Sequence, residues 1–110
     1  MKSPESLKYF IKKIDALKKE LYLIILFGSF VRGEPGPYSD IDLLIITKRQ
    51  DRALHDEIVA IAEEAMALTD YEELLSPHVV PLDHYNRLRE CRSDFYQTLC
   101  DEGRELWKAA

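Results

Sequence analysis

The sequence has few of the features that mark several common classes of protein. Its two cysteines, Cys91 and Cys100, are not spaced like metal ligands. We expect free thiols on a helix in a reducing cytoplasm, with a disulfide as the alternative. No apolar run approaches the roughly 20 residues of a membrane-spanning helix. Polar residues interrupt the opening MKSPESLKYF, which therefore does not resemble a signal peptide. These absences predict a cytoplasmic protein that does not enter a membrane.

An excess of basic residues is also missing. The chain has 15 basic and 20 acidic residues, giving a formal net charge of −5, and a nucleic-acid-binding domain usually has a basic face. No direct contact with nucleic acid is therefore expected. The 110 residues include no repeat, low-complexity tract or linker, and 46% of them are apolar. We expect one domain over residues 1–110 with a substantial core.

Apolar periodicity predicts the order helix, strand, strand, helix, strand, helix, helix, with a further short strand in the tail around Trp107. This order indicates a small α/β or α+β domain, in which helices cover a short mixed β-sheet. The predicted helices cover residues 4–20, 52–68, 84–89 and 94–102, and the predicted strands cover residues 21–27, 41–47 and 74–82.

Individual residues support these boundaries. Helix caps are predicted at Ser3, Asp51, Asp83 and Ser93, since their side chains can accept a hydrogen bond from a free backbone N–H. Two prolines in the third strand, Pro77 and Pro81, favour an edge position. The apolar faces of the helices are predicted to include Leu68 in the second helix, and Phe95, Leu99 and Cys100 in the last.

Polar and flexible residues separate the first two strands in the stretch GSFVRGEPGPYSDIDLLIIT, residues 28–47. Asp40 and Asp42 are two positions apart, so in a strand their side chains point to the same face. Two neighbouring carboxylates repel each other unless a cation lies between them, and oxygen ligands of this kind suit Mg²⁺. Gly28 allows a ligand to approach the backbone closely, and Ser29 offers a hydroxyl and an N–H to phosphate.

Each half of this pattern has an ordinary explanation. An isolated Asp-x-Asp can be two solvated acids at the start of a strand, and a Gly-Ser pair can be a simple turn. Together, at a fixed distance between two buried strands, they favour a site for phosphate and metal.

The combination resembles the signature of the nucleotidyltransferase superfamily that includes DNA polymerase β. The fuller forms G-S-x-x-R-G and S-D-I-D-L, with the short chain, resemble the minimal nucleotidyltransferase (MNT) domains of HEPN–MNT toxin–antitoxin pairs. The resemblance implies the polymerase β-like fold. It also implies that AMP is transferred from ATP to a hydroxyl of a partner protein, a HEPN RNase toxin.

The resemblance also implies roles for particular residues. Asp40 and Asp42 would bind two Mg²⁺ ions, and with Ser29 they form the expected catalytic set. Gly28 and Ser29 would hold the triphosphate of ATP. Arg32 and Ser39 are grouped with the nucleotide-binding residues; a surface salt bridge is the alternative for Arg32, and a turn or capping role is the alternative for Ser39.

The sequence departs from the superfamily at the third acid, which is expected on the next strand. The segment SPHVVPL has no Asp or Glu, and His78 lies near the expected position, with Ser76 as the neighbouring choice. His78 is either a replacement for the third acid or a surface histidine. This gap leaves a second function open, an antitoxin that binds nucleotide weakly and neutralises its partner by contact. An antibiotic nucleotidyltransferase is disfavoured, since such enzymes carry a further helical domain.

Overall fold

The structure is a computed structural model, and it describes residues 4–28 and 40–109. The helices are α1 (Glu5–Ile14), α2 (Arg52–Leu68), α3 (Leu82–Glu90) and α4 (Asp94–Glu102), and the strands are β1 (Leu21–Phe27), β2 (Ile41–Thr47), β3 (Leu75–Pro81) and β4 (Arg104–Lys108). The element order and the short strand in the tail agree with the sequence prediction.

The four strands form one mixed sheet in the order β3-β2-β1-β4. β1 runs antiparallel to β2 and to β4, whereas β2 and β3 are parallel. The predicted α+β fold with a small mixed sheet is therefore confirmed. β3 lies at an edge, as its two prolines indicated.

Helices cover both faces of the sheet, which explains why β1 and β2 are almost continuously apolar. On one face, α1 and α2 pack on a core that includes Phe10, Ile24, Ile45 and Ile58. On the other face, a smaller core around Leu44 and residues such as Leu23, Ile25, Ile46 and Leu99 lies beneath α3 and α4. The side chain of Asp42 projects on this second face together with Leu44, because successive side chains of a strand alternate between the faces and Ile41 and Leu43 point to the first face.

The first helix is shorter than predicted. The α-helix ends at Ile14 and continues as a 3-10 helix over Asp15–Glu20, which has no buried residue to hold an α-helical face against the core. Pro4 occupies the N-cap position. The predicted cap, Ser3, lies outside the described residues.

Two of the other predicted caps are confirmed. Asp51 accepts a hydrogen bond from the N–H of Leu54, and Ser93 accepts one from the N–H of Tyr96. The prediction for Asp83 is wrong, because Pro81 occupies the N-cap of α3 and Asp83 lies in its first turn.

Three residues predicted to face inward are exposed. Leu68 and Cys100 lie on the surface, and Phe95 is 38% exposed, while Leu99 is buried as predicted. Leu68 is the last residue of α2 and follows Ala65, the last buried residue of that helix. Phe95 is the second residue of α4 and contacts Phe27, which packs against the smaller core. Cys91 and Cys100 are both free thiols, as expected, and Cys91 immediately follows α3.

Among residues 4–28 and 40–109, no helix combines the length and the apolar character needed to cross a membrane.

Candidate active site

The sheet brings Gly28 and Asp42 together from opposite ends of the intervening loop. In the antiparallel pair of β1 and β2, Phe27 lies opposite Asp42, so Gly28, the next residue, lies beside the aspartate. Asp40 is exposed and comes immediately before β2. The predicted phosphate-binding residue and the predicted metal-binding residues thus meet at one end of the two central strands.

Gly28 is required at its position by both conformation and space. Its φ is +88°, a value that residues with a side chain rarely adopt. A Cβ on Gly28 would overlap Oδ2 of Asp42 and lie 3.2 Å from its Cγ. The backbone of Gly28 and the carboxylate of Asp42 are therefore in direct contact, and only glycine permits that contact.

Asp42 is a partly exposed carboxylate with a histidine as its neighbour. Its side chain is 28% exposed, and Nε2 of His78 lies 3.6 Å from its Oδ1. Among the described residues, no lysine or arginine forms an ion pair with Asp42. Within the described part of the chain, His78 is thus the one potentially cationic group in ion-pair range of this carboxylate.

His78 comes near Asp42 because β2 and β3 are parallel neighbours. Asp42 is aligned with Ser76, and Leu44 is aligned with His78. The side chains of Ser76 and His78 are also close, with Oγ and Nε2 3.4 Å apart. The strand expected to supply a third acid thus supplies a hydroxyl and an imidazole.

The acids that flank β3 include two with partners elsewhere. Glu73 accepts hydrogen bonds at one oxygen from the backbone N–H of Ser6 at 2.9 Å and from its hydroxyl at 2.6 Å. Asp83 lies 3.8 Å from the guanidinium of Arg87 on α3. Glu73 is bonded to α1, and Asp83 lies beyond Pro81, at the end of β3 away from Asp42, so neither carboxylate takes the place of the third acid.

The fit of a metal can be tested on the residues that are described. Oxygen donors from Asp40 and Asp42 suit Mg²⁺, which takes one or two protein carboxylates and completes its shell with water and phosphate oxygens. Because Oδ2 of Asp42 occupies the position that a Cβ on Gly28 would take, the carboxylate lies directly against the backbone that is expected to hold phosphate. Residues 4–28 and 40–109 include no group of three His, Cys, Asp or Glu side chains that could hold a metal without further ligands. The site therefore suits a metal that arrives with phosphate.

Three other predicted site residues, Ser29, Arg32 and Ser39, lie outside the described residues. Their roles remain predictions from the sequence.

Two aromatic residues adjoin the site, and sequence reasoning did not assign them to it. The ring centroids of Phe27 and His78 are 5.6 Å apart, and those of Phe27 and Phe95 are 5.5 Å apart. Strand alternation could have placed Phe27 on the face of Asp42 once the antiparallel pairing was assumed. No local signal could have found Phe95, because it reaches the site through the packing of α4.

Two tyrosines near α4 are poor candidates for an activated nucleophile. Burial raises the pKa of Tyr85, and a hydrogen bond with Cys100 raises the pKa of Tyr96. A raised pKa keeps a phenol protonated at neutral pH.

A cleft of about 320 Å³ lies at the opposite end of β2 and β3, where Thr47 and Pro81 end the strands. Its acids have local partners, since Asp51 caps α2 and Asp56 lies near Arg52 and His55. It is separate from the Asp42 site.

Comparison with known proteins agrees with the geometry. The family model described as "Nucleotidyltransferase domain" matches residues 7–102. A relative from Methanocaldococcus jannaschii, named "Putative protein adenylyltransferase MJ0141", is 35% identical over 74 residues, which cover 66% of this chain and 74% of the relative.

Solved structures share the fold. A crystal structure of a toxin–antitoxin with AMP-PNP has a TM-score of 0.57 and 24% identity, and the alignment covers 92% of this chain and 72% of that one. A structure of the toxin–antitoxin MntA–HpeT, in a variant with two aspartates changed to glutamate, has a TM-score of 0.59 and 21% identity over 96% of this chain and 74% of that one. The match of the family model over residues 7–102 shows that the chain belongs to the nucleotidyltransferase domain family.

Proposed function

We propose that the protein is a Mg²⁺-dependent enzyme that transfers AMP from ATP to a hydroxyl group of a partner protein. The observation that carries this proposal is the contact between Gly28 and the carboxylate of Asp42, at the end of the two central strands. It joins the two halves of the sequence motif in one place. Membership of the nucleotidyltransferase family supports transferase activity.

Asp40 and Asp42 would hold the metal ions, two of them by the family resemblance. Bound there, the ions would neutralise the phosphate charge and stabilise the attacking and leaving oxygens. Asp42 suits this role, because it is partly exposed and the described residues give it no cationic partner stronger than His78. Gly28 and Ser29 would hold the triphosphate, with Arg32 and Ser39 as further contacts.

The proposed reaction is an attack by the acceptor hydroxyl on the α-phosphorus of ATP. A bond forms between the acceptor oxygen and this phosphorus, the bond to the β-phosphate bridging oxygen breaks, and pyrophosphate leaves. The proton of the hydroxyl passes to solvent. This chain would contribute the positioning of the reacting groups, which is a main requirement of such a transfer.

The acceptor is proposed to be a HEPN-type toxin. The name of the M. jannaschii relative gives proteins as its substrate class, and the two fold neighbours are toxin–antitoxin structures, one of them with a nucleotide analogue. These names describe the relatives and not this chain. They support a pairing of this chain with a HEPN toxin, which the G-S-x-x-R-G and S-D-I-D-L motifs also suggested.

A second candidate is an antitoxin that neutralises its partner by binding alone. It is favoured by the residues of β3 beside Asp42. The superfamily often has a third carboxylate on this strand, and this chain has Ser76 and His78 there. A site with two acids could retain nucleotide without efficient transfer.

One experiment separates the two candidates. The protein is incubated with Mg²⁺, ATP labelled at the α-phosphate, and the product of the adjacent gene. The set includes Asp42→Asn and a matched control, Asp56→Asn, which changes a 63% exposed aspartate near the remote cleft. The enzyme proposal expects label on the partner with the wild type and with Asp56→Asn. Asp42→Asn should lower the transfer rate at least about 100-fold, because the metal loses a ligand.

The second part of the test measures whether the protein and its variants still silence the partner. If the double variant Asp40→Asn with Asp42→Asn still silences the partner fully, and no label is transferred by the wild type, the enzyme proposal fails and binding explains the activity.

A further inference from the structure

We propose that Phe95, supported by Phe27, forms the stacking surface for the base of the bound nucleotide. This inference rests on the proposed function, since it takes the triphosphate to lie at Gly28 and Asp42. It adds a part of the site that the Gly-Ser and Asp-x-Asp motif does not contain, and it predicts how strictly the site selects its nucleotide.

Three aromatic rings form a continuous row that ends at the metal-binding carboxylate. Phe95 contacts Phe27 with centroids 5.5 Å apart, and Phe27 contacts His78 with centroids 5.6 Å apart. His78 in turn lies 3.6 Å from Asp42. All four side chains lie on the sheet face beneath α3 and α4. A nucleotide whose phosphates lie at Asp42 is long enough for its base to reach this row of rings.

Phe95 has an uncovered ring surface. It is 38% exposed, although it belongs to the apolar face of α4. Its ring meets Phe27 edge to face, with an interplanar angle of 87°. In an edge-to-face pair, one ring points its edge at a single face of the other. At least one face of Phe95 is therefore not covered by Phe27, and a planar ligand can stack on it without displacing Phe27.

The helix cap beside Phe95 holds its backbone in place, and the contact with Phe27 restrains its ring. Phe95 is the second residue of α4, and Ser93 caps this helix by accepting a hydrogen bond from Tyr96 at 3.1 Å. A ring that is held in place costs less entropy when a base stacks on it. An exposed but anchored aromatic residue is therefore suited to binding.

Stacking predicts weak discrimination between bases. Every base has a flat π-face, and a phenylalanine ring has no hydrogen-bond donor or acceptor with which to read the base edge. We therefore expect the protein to bind ATP, GTP and UTP with similar affinity, within about fivefold, as long as this surface dominates base recognition.

The test is the dissociation constant of the full chain for Mg²⁺·ATP and for Mg²⁺·tripolyphosphate, measured by calorimetry. Tripolyphosphate keeps the charge and lacks the base. Phe95→Leu removes the ring and keeps an apolar side chain, and Phe95→Trp restores a ring. Tyr71→Leu is the matched control, because Tyr71 is 59% exposed and takes part in no described ring contact.

The expected result is specific to the base. Phe95→Leu should weaken ATP binding roughly tenfold and leave tripolyphosphate binding unchanged, Phe95→Trp should bind ATP at least as tightly as the wild type, and Tyr71→Leu should not differ from it. Thermal melting shows whether each variant is folded; a Phe95→Leu protein that does not fold is replaced by Phe95→Met in the same comparison.

Three results would overturn the inference. The first is equal ATP affinity of the wild type and Phe95→Leu. The second is an equal loss for ATP and tripolyphosphate. The third is an ATP affinity of Phe95→Trp that is as weak as that of Phe95→Leu, which would show that an aromatic ring at this position does not contribute to binding. Failure of the proposed nucleotide site looks different, since the wild type would then bind neither ATP nor tripolyphosphate. A protein that binds ATP but transfers no AMP to the partner would contradict the proposed transferase function and leave the stacking inference standing.

Discussion

At the scale of single residues, Gly28 and Asp42 depend on each other. Gly28 has φ +88°, and the carboxylate of Asp42 occupies the space where its side chain would be. Gly28 directly follows β1 and Asp42 lies in the neighbouring strand β2, so this contact fixes the aspartate relative to the backbone that is expected to hold phosphate. A change at Gly28 should therefore affect stability and catalysis together.

Gly28→Ala is predicted to lower the free energy of unfolding by about 1–2 kcal/mol, because a left-handed conformation is unfavourable for alanine, and to reduce AMP transfer sharply. Urea denaturation and the labelling assay measure the two effects. Part of the loss should come from overlap with Asp42, so Gly28→Ala with Asp42→Ala should be more stable than the sum of the single changes predicts. Strict additivity would show that the alanine methyl group does not touch the carboxylate.

At the scale of elements, the turn before β3 is attached to the start of α1. The carboxylate of Glu73 accepts two hydrogen bonds from Ser6, which is fully buried. Ser6 lies in the first turn of α1, where backbone N–H groups have no partner within the helix, so Glu73 completes the helix from a distant part of the chain. The same turn leads into Ser76 and His78.

Glu73→Ala is predicted to lower the free energy of unfolding by about 1.5–3 kcal/mol, the range for hydrogen bonds to a charged group. Glu72→Ala is the control, since Glu72 is exposed and adjacent, and its effect should remain within about 0.5 kcal/mol. Chemical denaturation measures both. Equal, small effects in the two variants would show that the bonds to Ser6 add nothing to stability.

The cap of α4 links an element to the proposed stacking surface. Ser93→Ala is predicted to lower the free energy of unfolding by about 1 kcal/mol, and Ser93→Asp, which keeps an oxygen acceptor, should be close to the wild type. ATP affinity should fall in the alanine variant more than tripolyphosphate affinity, because a frayed helix start would release Phe95. Unchanged stability in Ser93→Ala would contradict the cap.

The elements also show how far the sequence alone leads. The strands β1 and β2 were predicted to the residue, because continuous apolar runs bounded by polar residues leave little choice of boundary. The proximity of Gly28 and Asp42 was also foreseeable from the motif. Phe95 and Leu68 were misassigned, because periodicity gives the direction of a side chain and not the extent of the surface that covers it. The sequence analysis placed His78 near the third-acid position only through the family resemblance, because no local pattern encodes the parallel register of β2 and β3 that brings it to Asp42.

At the scale of the whole molecule, β4 covers the exposed edge of β1. Without β4, the apolar strand LYLIILF would present its backbone N–H and C=O groups to other chains, and such edges promote aggregation. Trp107 of β4 also packs against the larger core. β4 itself carries Arg104 and Lys108 at its two ends, and its pairing with β1 is irregular between Ile24 and Ile25, so the edge it presents is charged and distorted. The short tail strand thus closes the sheet on the side away from β3.

This role predicts that removal of residues 104–110 converts the protein into an aggregating species. Light scattering at constant temperature should rise with protein concentration, and circular dichroism should show loss of the cooperative melting transition, because β1 becomes an unprotected edge beside β2. Trp107→Ala keeps the backbone of β4 and should only lower the free energy of unfolding, by about 2 kcal/mol for a half-buried ring, without aggregation. Arg104→Ala, at an exposed position of the same strand, should match the wild type in the free energy of unfolding. A truncated chain that remains monomeric and melts cooperatively would show that β1 is protected by its own twist or by the helices, and that β4 is dispensable for the sheet.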